Sequence, residues 1–107
     1  MCSNRLTLPT AYADEAVQAF GKALRAAMTF EQDYASLVEL EGAETAEGFA
    51  AAIQRFLRRN HKSPSRPREG HLERLMALAK TTDDVRILRA AIISYGLTLW
   101  DKKEEKS

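Results

Sequence analysis

Nucleophilic or acid–base catalysis needs a reactive group set beside a partner that takes or gives a proton, and this chain offers few such neighbours. Its single cysteine, Cys2, stands next to the initiator methionine, with no second thiol to pair with. His61 and His71 border a polar stretch, stand in no recognisable catalytic context, and read as solvated side chains. His71 and Glu73 are two positions apart, the wrong phase for one helix face, so the four-residue spacing of a metal-binding helix is missing. Asp14 with Glu15, and Asp83 with Asp84, are adjacent acids of the kind favoured in a first helical turn, where the macrodipole welcomes negative charge. The five glycines are scattered and make no phosphate-cradling loop. Residue types and spacing therefore predict no catalytic residues, no metal ligands, no cofactor and no small-molecule substrate.

One constellation could do binding chemistry. Arg55, Arg59 and Lys62 follow an i, i+4, i+7 spacing, which puts them on one helical stripe opposite Phe49, Ile53 and Phe56. Arg58 lies beside that stripe, Arg66 and Arg68 follow in a polar loop, and Arg74 stands on the next helix. Guanidinium forks and a lysine point charge suit a phosphodiester backbone. Few aromatic residues accompany them, so the expected contact is with backbone rather than with stacked or sequence-read bases. The same face could equally be solvated, or neutralised by the acidic first half of the chain.

That acidic half is pronounced. The chain as a whole carries a net charge of +1. Over residues 10–54, however, Lys22 and Arg25 face Asp14, Glu15, Glu31, Asp33, Glu39, Glu41, Glu44 and Glu47, a net of −6. Over residues 55–74 the seven cations named above face only Glu69 and Glu73, a net of +5. Such asymmetry would let one copy's acidic surface meet the next copy's basic one in a repeating head-to-tail contact.

The elements that must position these residues read as helices. Thr10 caps a first helix whose buried face is Ala13, Ala16, Val17, Phe20, Leu24 and Met28. Thr29 with Gln32 reads as a capping box for a second helix striped by Phe30, Tyr34, Leu37 and Val38 and stopped at Gly42, although the two could be one kinked helix. Thr45 caps a third, lined by Phe49, Ala52, Ile53, Phe56 and Leu57 and ending near Asn60. Two prolines and a glycine mark residues 61–70 as a long exposed loop. A short fourth helix carries Leu72, Leu75, Met76 and Ala79 to about Lys80, and Thr81 with Asp84 opens a fifth from about Thr82 to Trp100. The expectation is an all-α, compact bundle of four to five helices forming a single domain over residues 1–107, with 1–9 and 101–107 as frayed tails.

The fifth helix is apolar on two sides. Val85, Leu88, Ala91, Ile92, Tyr95 and Leu99 share one face; Ile93, Leu97 and Trp100 share another, flanked by Arg86 and Arg89. Either the helix lies centrally, or this second face meets another protein, and Arg86, Arg89, Ile93, Leu97 and Trp100 are the candidate protein interface. No secretory leader or membrane-length apolar run is present, and the unpaired cysteine suits a reducing cytoplasm.

The stretch Phe49-Ala-Ala-Ala-Ile-Gln-Arg-Phe-Leu-Arg-Arg-Asn60, the proline-rich basic loop after it, and the ending Leu88-Arg-Ala-Ala-Ile-Ile-Ser-Tyr-Gly-Leu-Thr-Leu-Trp100 resemble the small helical subunits of CRISPR effector complexes, particularly the type I (Cascade) systems. The resemblance covers roughly residues 45–100 and implies a non-catalytic protein present in several copies along an RNA-guided complex. Its partners would be other effector subunits, further copies of itself, and the crRNA or target DNA backbone. The residues that fit such a basic face are Arg55, Arg58, Arg59, Lys62, Arg66 and Arg68, while Ile93, Leu97 and Trp100 would suit packing between subunits. The acidic first half departs from a uniformly basic expectation. Two other readings compete: a helix-turn-helix DNA-binding regulator, whose recognition helix would begin unfavourably at Asp83 and Asp84, and a pure protein-interaction adaptor.

Overall fold

Every regular element among the described residues is helical: α1 (Leu8–Ala13), α2 (Glu15–Ala26), α3 (Tyr34–Glu41), α4 (Ala46–Arg59), α5 (Glu69–Thr81) and α6 (Val85–Glu105), with a five-residue π turn, Ala27–Glu31, between α2 and α3. The computed structural model describes residues 6–64 and 66–105, with side chains described as far as Leu97. The all-α architecture agrees with the sequence pattern. The helix count, six, exceeds the expected four to five because the first predicted helix is two. Asp14 takes extended backbone angles (φ −72°, ψ 130°), and its carboxylate accepts the Ala16 N–H at 2.9 Å, capping α2 and ending α1. Helix α1 and buried Leu6 also occupy part of the stretch expected to fray, and α6 continues helical to Glu105.

The other caps divide between those expected and those displaced. Thr45 Oγ1 accepts the Gly48 N–H at 3.0 Å, and Asn60 closes α4, as the spacing predicts. Thr29, by contrast, lies inside the π turn rather than capping a helix. Gln32 follows in the left-handed region (φ 57°), and Asp33 is the cap of α3, accepting the Ser36 N–H at 3.2 Å. At the start of α6, Thr81 Oγ1 donates to the Ala77 carbonyl within α5, and Asp84 accepts the Arg86 N–H at 3.0 Å.

Helix α6 packs against each of the other five helices, most extensively α2. The α2–α6 crossing is close because glycines face it: a Cβ on Gly96 would sit 3.1 Å from the Gly21 carbonyl oxygen, and one on Gly21 2.9 Å from the Tyr95 ring. Val85, Leu88, Ala91 and Ile92 of α6 meet Val17, Phe20 and Leu24 of α2, Phe49, Ile53 and Phe56 of α4, and Leu75 of α5 in one buried cluster. Phe20 and Phe56 lie edge to face with ring centroids 4.9 Å apart, a favourable aromatic arrangement. Ile93 is partly buried against this core, so central packing takes up that residue of the second apolar face of α6. No helix among the described residues is long and apolar enough to cross a membrane.

Candidate nucleic-acid interface

Helix α4 turns Phe49, Ile53 and Phe56 into the core and leaves Arg55, Arg58 and Arg59 exposed, as the sequence predicts. Two of these three arginines are already engaged. The Arg59 guanidinium pairs with Asp33 at 3.3 Å and Glu39 at 3.0 Å, and donates to Ser36 Oγ at 2.7 Å. Arg55 pairs with the other oxygen of Glu39 at 3.2 Å. Buried Asn60 completes the network, donating to Asp33 Oδ2 at 2.8 Å and to the Phe56 carbonyl at 3.1 Å. The acidic first half thus neutralises part of the basic stripe within one molecule, tying α3 to the end of α4.

The network shows in the ionisation of its members. Partial burial works against the Asp33 carboxylate, but hydrogen bonds from Ser36 and Asn60, together with Arg59, outweigh it and hold the pKa below its usual value. Glu39 is lowered mainly by the Arg59 hydrogen bond, and Arg59 is raised mainly by the reciprocal bond. Arg74 is engaged elsewhere, pairing with Asp14 at 2.9 Å and linking α5 to the α1–α2 joint. Of the seven predicted phosphate contacts, Arg55, Arg59 and Arg74 therefore have carboxylate partners of their own.

Arg58, Lys62, Arg66 and Arg68 are exposed and form no ion pair among the described residues. Two tight turns, Ser63 N–H to the Asn60 carbonyl and Arg66 N–H to the Ser63 carbonyl, fold the chain compactly between α4 and α5. Arg58, Arg66 and Arg68 line two hollows. Arg55, Arg58 and Arg59 surround one of about 400 Å³. Arg66 and Arg68 line a cleft of about 430 Å³ together with Pro67, His71 and the α2 residues Glu15, Gln18, Ala19 and Lys22. Lys22 stands in an acidic segment and is not among the predicted contacts; its only signal in the sequence is its place on the Glu15, Gln18, Lys22 stripe.

The predicted protein interface is rearranged. Arg86 is held by Asp84 at 2.9 Å, an exposed pair at the start of α6, whereas Arg89 donates to the distant Ala43 carbonyl and ties α6 to the segment between α3 and α4. Ile93 packs on the core and Leu97 is 45% exposed, while the Trp100 side chain lies outside the described residues. A larger outward apolar surface stands on the π turn and α3, where Phe30 is 70%, Tyr34 55% and Val38 65% exposed. The spacing predicts a buried stripe of these three with Leu37. In the structure only Leu37 of the four packs partly on the core, and Ser36 and Leu40 are buried beside it, Ser36 as a member of the Asp33–Arg59 network.

An uncharacterized protein of Archaeoglobus fulgidus is 46% identical over 100 residues, an alignment that covers 85% of this chain and 82% of the archaeal one. No protein-family model and no solved structure matches this chain.

Proposed function

This chain belongs to the same family as the Archaeoglobus fulgidus protein, and from the surface just described we propose that it is a non-catalytic small subunit of an RNA-guided CRISPR interference complex, working in the cytoplasm. It packs against other subunits and further copies of itself, and it touches crRNA or target DNA through phosphates. The observation that carries this reading is the set of exposed cations, Arg58, Lys62, Arg66 and Arg68, that form no ion pair among the described residues, at the end of α4 and in the loop beyond it. A protein that kept these charges only to brace its own fold would be expected to pair them as it pairs Arg59.

Salt titration of binding to single-stranded and duplex nucleic acid tests the proposal. Replacing Arg58 and Lys62 by Ala should weaken binding for every sequence alike and flatten the dependence on salt by about one unit of slope per lost phosphate contact. No affinity at low salt, with or without partner subunits, ends the nucleic-acid role. The exposed Phe30, Tyr34 and Val38 favour a second reading, a protein-interaction adaptor. Assembly lost in Tyr34→Ser, with nucleic-acid association unmoved by charge removal at Arg58 and Lys62, would select it.

A further inference from the structure

We propose that the cleft between α2 and the start of α5 seats one nucleotide unit of single-stranded RNA, its phosphate among Lys22, Arg66 and Arg68 and its ribose 2′-hydroxyl against Glu15. The inference rests on the nucleic-acid reading above and adds a place and a ligand to it. The cleft, about 430 Å³, falls within the range of roughly 300–1,000 Å³ for small-ligand sites. The three cations on its walls come from two segments far apart in sequence, Lys22 from α2 and Arg66 with Arg68 from the loop before α5, and folding has brought like charges together around one concavity. An anion shared among them relieves that repulsion.

The α2 wall has an order. Glu15, Gln18, Ala19 and Lys22 succeed one another at i, i+3, i+4 and i+7, so they line one stripe of the helix, with Glu15 about 10 Å from Lys22 along its axis. A carboxylate in a phosphate-binding groove is unfavourable unless the ligand gives it a hydrogen-bond donor. The 2′-hydroxyl is that donor in RNA, and DNA lacks it. Gln18 is anchored beside Glu15 by its amide nitrogen, which donates to the Tyr12 carbonyl at 3.0 Å, so Glu15 is the charged acceptor on this wall. His71 borders both this cleft and the adjoining hollow lined by Asp14, Glu15, Ala16 and Arg74, where Arg74 already neutralises Asp14. The cationic end of the groove is therefore left to the phosphate. With Ala19 and Pro67 in the lining and no Phe, Tyr or Trp among its described residues, the site suits backbone and sugar, and His71 at its border is the ring nearest to a base.

Labelled single-stranded RNA and DNA of one sequence, titrated at low salt with the full chain, read the proposal directly. The wild type should prefer RNA about fivefold, the scale of one hydrogen bond. Lys22→Gln should weaken both ligands several-fold, and Glu15→Ala should bring the RNA-to-DNA ratio close to unity. Arg58→Gln with Lys62→Gln serves as the comparison outside the cleft and should leave the ratio unchanged. If affinity falls only in that comparison variant, or if Glu15→Ala leaves the ratio intact, the cleft assignment is overturned while the broader nucleic-acid reading stands. If the wild type binds neither ligand, both fall. Lys22 and Glu15 are exposed, and a thermal melt of each variant separates lost binding from lost fold.

Discussion

Gly21 is the position where adding a single methyl group should hurt most. An alanine Cβ there would lie 2.9 Å from Tyr95 Cδ1, 3.1 Å from the Ile92 carbonyl oxygen and 3.2 Å from Tyr95 Cβ. The ring has little freedom to retreat, since Tyr95 packs edge to face on Tyr12 with centroids 5.4 Å apart, and the carbonyl belongs to the backbone of α6. Overpacking of this kind costs about 1–3 kcal/mol, against which the better helix propensity of alanine returns up to about 1 kcal/mol. The net expectation for Gly21→Ala is a loss of about 1–2 kcal/mol, or a Tm lower by about 5–15 °C for a domain of this size. Gly96→Ala meets one tight neighbour, the Gly21 carbonyl oxygen at 3.1 Å, and should cost less. The double variant should cost less than the two singles added, because helices that have separated once accommodate both methyl groups. Thermal and urea unfolding followed by far-UV circular dichroism measures all three. A Gly21→Ala protein as stable as the wild type would refute the close-crossing argument, and Gly70→Ala, with nothing within 4 Å of the new Cβ, provides the uncrowded control.

Three further outcomes follow from local features. Gln32 holds a left-handed backbone (φ 57°) that costs a side-chain-bearing residue about 1–2 kcal/mol, so Gln32→Gly should raise the unfolding free energy by about 0.5–1 kcal/mol after the extra freedom of glycine in the unfolded chain is deducted; a lower urea midpoint would contradict this. Asp33 has a folded-state pKa below its usual 3.8, so its contribution is present above that value and disappears as pH falls through the folded one; Asp33→Asn should be less stable at neutral pH and show a shallower acid limb, and an unchanged acid limb by calorimetry would show that Asp33 does not set it. Replacing Tyr34 and Val38 by Ser should move stability by no more than about 0.5 kcal/mol while reducing self-association in sedimentation runs, and undiminished association would remove the α3 surface as a seam between copies.

Local chemistry was legible wherever one helix and its cap decide the outcome. The apolar spacing of α4, the Thr45 cap, the Asn60 ending and the outward direction of Arg55, Arg58 and Arg59 follow from helical periodicity and short-range hydrogen bonding, which a chain carries in its own order of residues. Asp14 was readable as a first-turn acid, but not as the break that makes α1 and α2 two helices. What only the tertiary structure decided is which surfaces meet. Arg59 is a brace rather than a free cation because α3 arrives with Asp33, Ser36 and Glu39. Val38 faces outward although it is apolar, while the same encounter holds Ser36 inward. Lys22, one of two cations in an acidic segment, joins Arg66 and Arg68 because α2 lies beside the loop before α5. Periodicity names the two faces of a helix; the partner of each face is set by long-range packing, which no single segment encodes.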